Sequence, residues 1–214
     1  MPLIRRDPDN TQPDGERRDA PRDLEGLLAQ LHDERPIARR RAARELAGEA
    51  AAVTALSDAL ERETDDGCRH ALLTSLLVCG GPEVQQRLLP LLRSEDAGLR
   101  NGVIEVLQGM PQLAGRYMDD LLSDPDSDVR IFAVNIMESL RHDRVPEWLR
   151  GVLERDEHVN VCAAAVDVLT EVGEADCLPA LESLPQRFPG EPFIEFAAGV
   201  AARRIRGEEG ANGR

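Results

Sequence analysis

Apolar side chains recur along the chain in clusters that fit one face of a helix, and the clusters themselves recur. Counted from residue 69, offsets −1, +3, +4 and +7 are Cys68, Leu72, Leu73 and Leu76; from 100 they are Leu99, Val103, Ile104 and Leu107. From 130 they are Val129, Ala133, Val134 and Met137, and from 162 Val161, Ala165, Val166 and Leu169. This i, i+4, i+5, i+8 spacing winds one stripe along an α-helix and does not fit strand alternation. A shorter amphipathic run precedes each of these helices, at 24–31, 53–60, 84–92, 113–122, 145–153 and 178–184. Asp or Ser just before each second helix is expected to cap it, and Gly48, Gly80 and Gly173 fall where helices must stop.

The second helices share a frame, an acidic turn followed by an apolar–Arg pair. It reads Asp33-Glu-Arg-Pro-Ile-Ala-Arg39, Asp65-Asp-Gly-Cys-Arg69, Asp96-Ala-Gly-Leu-Arg100 and Asp126-Ser-Asp-Val-Arg130. A fifth copy, Asp156-Glu-His-Val-Asn-Val-Cys162, has Cys in place of Arg, and a degenerate sixth, Pro192-Phe-Ile-Glu195, follows. Reference positions 39, 69, 100, 130 and 162 are spaced 30, 31, 30 and 32 residues apart. Two helices per period of about 31 residues predict an all-α fold, an α-solenoid (α/α superhelix) of about six stacked helix pairs. The solenoid is expected over 23–206. An arm at 1–22, rich in Pro, Asp and Arg, and a tail at 207–214 lack the apolar side chains to order themselves.

Composition narrows the function. Aromatics are 3% of 214 residues, so Ala, Leu and Val must build the core. All 26 basic residues are Arg, and without Lys there is neither a Schiff-base nucleophile nor a Walker lysine. A net charge of −14 disfavours nucleic acid and anionic membrane as partners, since both call for a basic footprint. Cys68, Cys79, Cys162 and Cys177 stand among apolar neighbours without CxxC spacing and read as reduced core thiols. No apolar leader precedes the repeats, from which a cytoplasmic location is expected.

The frame Asp33, Pro36, Arg39, Ala42, Ala43 and Leu46, as Asp-x-x-Pro-x-x-Arg-x-x-Ala-Ala-x-x-Leu, resembles the HEAT repeat. The short period is similar to the HEAT-like repeats of phycobilin lyase subunits, and the resemblance covers roughly 24–206. The Trp-Leu-Gly-Tyr and Thr-Pro-Leu-His patterns of tetratricopeptide and ankyrin repeats are missing. HEAT-like deoxyhypusine hydroxylases hold two irons on paired His-Glu motifs, but His32, His70, His142 and His158 are followed by Asp, Ala, Asp and Val. HEAT-like DNA glycosylases use a basic concave surface, which this acidic chain does not offer.

The resemblance implies a concave surface lined by the second helices and presenting offsets +1, +5 and +8. On that face a protein partner is expected at Arg40, Arg44, His70, Thr74, Asn101, Glu105, Asn135 and Asp167, a series running from basic to acidic. The partner expected is a protein with a basic patch, with no cofactor and no metal; the chain is expected to be non-enzymatic, and its oligomeric state is left open, with a monomer favoured over an oligomer. The repeat type also implies an alternative, a cofactor-handling enzyme or assembly factor of the bilin lyase kind, with Arg40, Arg44 and His70 toward propionates. A third is a regulatory subunit on a larger enzyme. The Asp–Arg column reads as structural, each Arg bonding acidic turn residues, with the support weakening at Cys162. Tyr117 and Trp148 are expected to pack between repeats, and Phe188, Phe193 and Phe196 either to close the C-terminal core, the favoured reading, or to present a dimer or partner patch.

Overall fold

The acidic turns do start helices. The computed structural model describes residues 22–208, and the arm and tail expected at 1–22 and 207–214 fall outside it except for Arg22, Gly207 and Glu208. Within 22–208 the chain is helical, without strands. The first helices of the pairs are α1 (Leu24–Gln30), α3 (Val53–Arg62), α5 (Gly81–Leu88), α7 (Met118–Leu122), α9 (Val145–Arg155) and α11 (Leu178–Arg187). The second helices are α2 (Pro36–Glu45), α4 (Asp66–Cys79), α6 (Ala97–Gln108), α8 (Ser127–Ser139), α10 (Val159–Val172) and α12 (Pro192–Arg206). Even-numbered helices pack on one another in sequence from α2 to α12, and the odd-numbered ones lie in a second layer. The molecule is an α-solenoid of six helix pairs.

The stripe at −1, +3, +4 and +7 forms the seam between the layers. All sixteen residues that it names in copies two to five are buried, as are Ala42, Ala43 and Leu46 of copy one and Ile194, Ala198 and Ala202 of copy six. Two first helices are interrupted where a single run was expected. Pro90 brings no amide to bond back along α5, and the chain tightens into a 3₁₀ segment at Leu89–Arg93. In copy four a 3₁₀ segment, Pro111–Arg116, precedes the short α7, with the break at the buried Tyr117.

Asp65 and Asp96 cap α4 and α6 by accepting from the amides of Cys68 and Leu99, and Asp126 at the head of α8 accepts from that of Asp128. The cap positions of α2, α10 and α12 hold Arg35, His158 and Glu191, which make no side-chain cap, so the expected rule covers three of the six second helices. A residue six before each reference position works more evenly. Asp33, Glu63, Ser94, Asp124 and Asp156 each accept from the amide two residues on. Gly80, the C-cap of α4, and Gly48, two residues past the C-cap of α2, take positive φ, which glycine adopts without a Cβ clash. Gly173 stops α10 with an extended backbone; it is glycine because a Cβ would collide with the Leu169 carbonyl and the Ile205 side chain.

Each second helix has one side toward the previous copy and one toward the next. Looking back, Cys68 Sγ (offset −1) reaches the Pro36 carbonyl at 2.9 Å and Ser75 Oγ (+6) donates to the Ala43 carbonyl at 2.7 Å. Looking forward, Leu73 (+4) fills the space over Gly102, Leu77 (+8) that over Gly109, and Arg40 (+1) lies over Gly67.

Candidate protein-binding surface

The reference arginines are consumed inside the stack. Arg39 donates from Nη1 to the Asp33 carbonyl at 2.9 Å and forks onto both Glu63 carboxylate oxygens of the next copy at 2.8 Å. The Glu63 side chain is 4% exposed, and the Arg39 guanidinium holds its carboxyl down to about 2. Arg130 repeats the motif, with the Asp124 carbonyl at 2.8 Å and a fork onto Asp156 at 2.7 and 3.1 Å. Arg69 bonds the Glu63 carbonyl at 3.2 Å and Asp96 of the next copy at 2.8 Å.

Arg100 breaks the expected pattern. It reaches the Ser94 carbonyl, but its guanidinium lies over the Phe132 ring, 5.3 Å from the centroid, instead of on an acid. The acid of that turn, Asp124, is taken by the half-exposed Arg93. The ladder was also expected to weaken at Cys162, and that needs correcting. Arg187 of α11 reaches back into the gap and donates to the carbonyls of Leu153 and Asp156, the latter at 2.7 Å. The Asp156 carbonyl holds the same place six residues before the reference position, so a guanidinium serves that turn after all.

The expected surface residues lie on successive second helices: Arg40 and Arg44 on α2, His70 and Thr74 on α4, Asn101 and Glu105 on α6, Asn135 on α8 and Asp167 on α10. Shared offsets on stacked helices bring them to one face. Arg44, His70, Thr74, Asn101, Glu105 and Asp167 are exposed, while Arg40 and Asn135 are half-buried. Asn135 also gives its backbone carbonyl to Gln108 of the preceding helix at 2.9 Å. Thr74 Oγ1 donates to the His70 carbonyl at 2.8 Å. The side chains of Arg44, His70, Asn101, Glu105 and Asp167 make no hydrogen bond or ion pair among the described residues. Exposed apolar neighbours lie outside offsets +1, +5 and +8. Val78 (+9) is 59% exposed and Ile37 (−2) 49%, and the full exposed arc of the helix, −2 to +9, would have found them.

A groove of about 560 Å³ opens elsewhere, at the edge between α7 and α9, with Asp119, Arg144 and Trp148 on its wall. Its polar groups satisfy one another. Arg144 bonds Asp119 and Glu147 at 3.1 Å and covers the Trp148 ring, whose Nε1 donates to Asp119 at 2.8 Å. His142 stacks on the same indole at 4.8 Å and accepts the Arg144 amide on Nδ1. Trp148 (4% exposed) and Tyr117 thus pack between repeats, as expected.

All four cysteines are free, and burial pushes the thiols of Cys68 and Cys162 up to about 11, away from nucleophilic chemistry near neutral pH. Among the described residues no His, Cys, Asp or Glu group is arranged to hold a metal ion, and no helix is long and apolar enough to cross a membrane. At the C-terminal end Phe188 packs on the core, but Phe193 and Phe196 are 59% and 70% exposed, so the expected three-ring closure does not form. In α12 the inward stripe is made by Ile194, Ala198 and Ala202, which leaves no room for offsets −2 and +1.

The family described as HEAT repeats matches residues 24–108 and 118–187. No curated protein matches the chain. Among solved structures, an engineered protein is 18% identical over 87% of this chain and 97% of its own, with a TM-score of 0.38. The complex of CpcE and CpcF of phycocyanin lyase from Nostoc sp. PCC7120 is 19% identical over 97% of this chain and 100% of its own, with a TM-score of 0.37.

Proposed function

This chain belongs to the HEAT-repeat family, and we propose that it is a non-enzymatic scaffold holding a partner protein against its layer of second helices. One observation carries the reading. The ladder arginines are committed to the stack, whereas Arg44, His70, Asn101, Glu105 and Asp167 share an exposed face without pairing among the described residues. The second helices also pack more closely on one another than the first helices do, which favours theirs as the inner, concave side. A rigid preformed surface binds with little ordering cost, and its basic-to-acidic sequence from α2 to α10 sets the register of a partner whose basic patch faces α6 to α10.

The test is affinity capture from the native organism with wild type and with Arg44→Glu/Glu105→Arg/Asp167→Arg. Exposed positions change stability by less than about 0.5 kcal/mol each, so the variant remains folded by circular dichroism. A partner captured by wild type and lost by the folded variant is the expected result. A partner held equally by both moves the interface off this face. A wild-type protein that carries a coloured small molecule and captures no protein replaces the scaffold with a cofactor-handling role of the bilin lyase kind.

A further inference from the structure

The two ends of the stack are finished differently. At the first copy the backward-facing offsets +2 and +6 are Arg41 and Glu45, which pair with each other at 3.2 Å, and Glu45 also takes Arg22 at 2.9 Å. In copies two and five the same offsets are Ala71 and Ser75, then Ala164 and Val168, packed against the preceding helix. The first described copy therefore presents charge where the interior copies present apolar side chains. At the other end the forward-facing offsets of α12 are Glu195 (0), Phe196 (+1), Gly199 (+4) and Arg203 (+8). Interior helices use those offsets to hold the next copy, through Arg39 and Arg130 at 0, Arg40 at +1, Leu73 at +4 and Leu77 at +8. Among the described residues no further helix packs on these offsets of α12, and Phe196 and Phe193 are the most exposed phenylalanines, at 70% and 59%.

We propose that this end face pairs two copies of the chain about a two-fold axis, with α12 antiparallel to its counterpart. The face is self-complementary. Its acidic residues, Glu191 and Glu195, lie at the start of the helix and Arg203 near its end, so antiparallel pairing sets unlike charges together. Arg204 and Arg206 are already paired with Glu171 and Glu182, whereas Glu195 and Arg203 have no ion pair among the described residues. Gly199, the midpoint of α12, removes the bulk that interior helices carry at +4, so two helices can cross closely there. The aromatic residues flank that crossing and supply the apolar anchor, with the partner's Arg203 available to the Phe196 ring. Head-to-tail stacking is opposed by the charge on the first described copy, so the assembly closes as a dimer and does not extend.

One helix pair gives a small interface, which calls for sedimentation velocity from about 1 to about 200 µM, a range bracketing the affinities small interfaces give. The full chain is expected to show a monomer–dimer equilibrium. Phe196→Glu, at an exposed position that leaves the circular dichroism spectrum unchanged, weakens it at least about 30-fold. Glu195→Arg and Arg203→Glu each weaken it, and the double variant Glu195→Arg/Arg203→Glu regains the wild-type constant, which nonspecific stickiness would not do. A monomer over the whole range, a dimer indifferent to Phe196→Glu, charge variants without recovery, or open-ended oligomers would each overturn the proposal.

Discussion

Arg187 and Glu63 show how single side chains hold the repeats together. Arg187 comes from a different helix than the arginines it replaces, and its column in other copies holds Leu31, Glu61, Leu92, Leu122 and Glu154. Nothing in its own sequence context predicts that it reaches back past Cys162; that depends on the path of α11. Arg187→Met leaves the Leu153 and Asp156 carbonyls without their charged donor. Lost bonds of this kind cost about 2–3 kcal/mol, a fall in Tm of roughly 4–12 °C by calorimetry for a chain of this size. Cys162→Arg/Arg187→Met, which returns the guanidinium to its usual column, is expected to recover part of that loss. Glu63 sets a pH dependence. Its carboxyl titrates at about 2 in the folded protein against an ordinary 4.5, so its contribution is complete above 4.5 and lost as pH falls toward 2. Glu63→Gln removes that dependence and costs about 2–3 kcal/mol at neutral pH, measured by urea unfolding at pH 7 and pH 3.

At the level of elements, six second helices were legible because the buried offsets, four in copies two to five and three in copies one and six, repeat the same frame, and the stripe survives even where Arg39 becomes Cys162 or Glu195. First helices were legible in position and less so in form. Pro90 and the Pro111–Tyr117 stretch tighten two of them into 3₁₀ turns, since such short segments are shaped more by local backbone chemistry than by periodicity. Caps were half legible. Asp65, Asp96 and Asp126 stand at helix starts, but the more regular contribution comes two residues earlier, from Glu63, Ser94, Asp124 and their equivalents. Asp96 serves both roles, capping Leu99 and receiving Arg69. Asp96→Ala is expected to cost about 1–2 kcal/mol, against less than about 0.5 kcal/mol for the exposed Glu95→Ala, by chemical denaturation. Of the eight surface residues taken from the offsets, six are exposed, and Arg40 and Asn135 are half-buried. The exposed rings of α12 were not legible, because a cluster of three Phe in sequence does not reveal which of them the inward stripe has already excluded.

Across the molecule, stability is a chain of neighbour interactions, and the junctions are not alike. The first and fourth are clamped by shielded Arg–carboxylate forks, Arg39 on Glu63 and Arg130 on Asp156, and the fifth by Arg187 on carbonyl groups. The middle one, between α6 and α8, has an arginine stacked on a ring, and its ion pair has moved outward to the half-exposed Arg93. Exposed pairs are screened by salt and shielded ones much less so. The second junction rests on Arg69 and the half-exposed Asp96. Small-angle X-ray scattering between low and high ionic strength is therefore expected to show a change in maximum dimension that Arg93→Met reduces, while the forks of Arg39 and Arg130 hold the first and fourth junctions. The stack then behaves as two stiffer ends joined through a compliant middle that spans the Arg69–Asp96 and Arg93–Asp124 pairs, and ionic strength becomes a dial on how widely its two arms open.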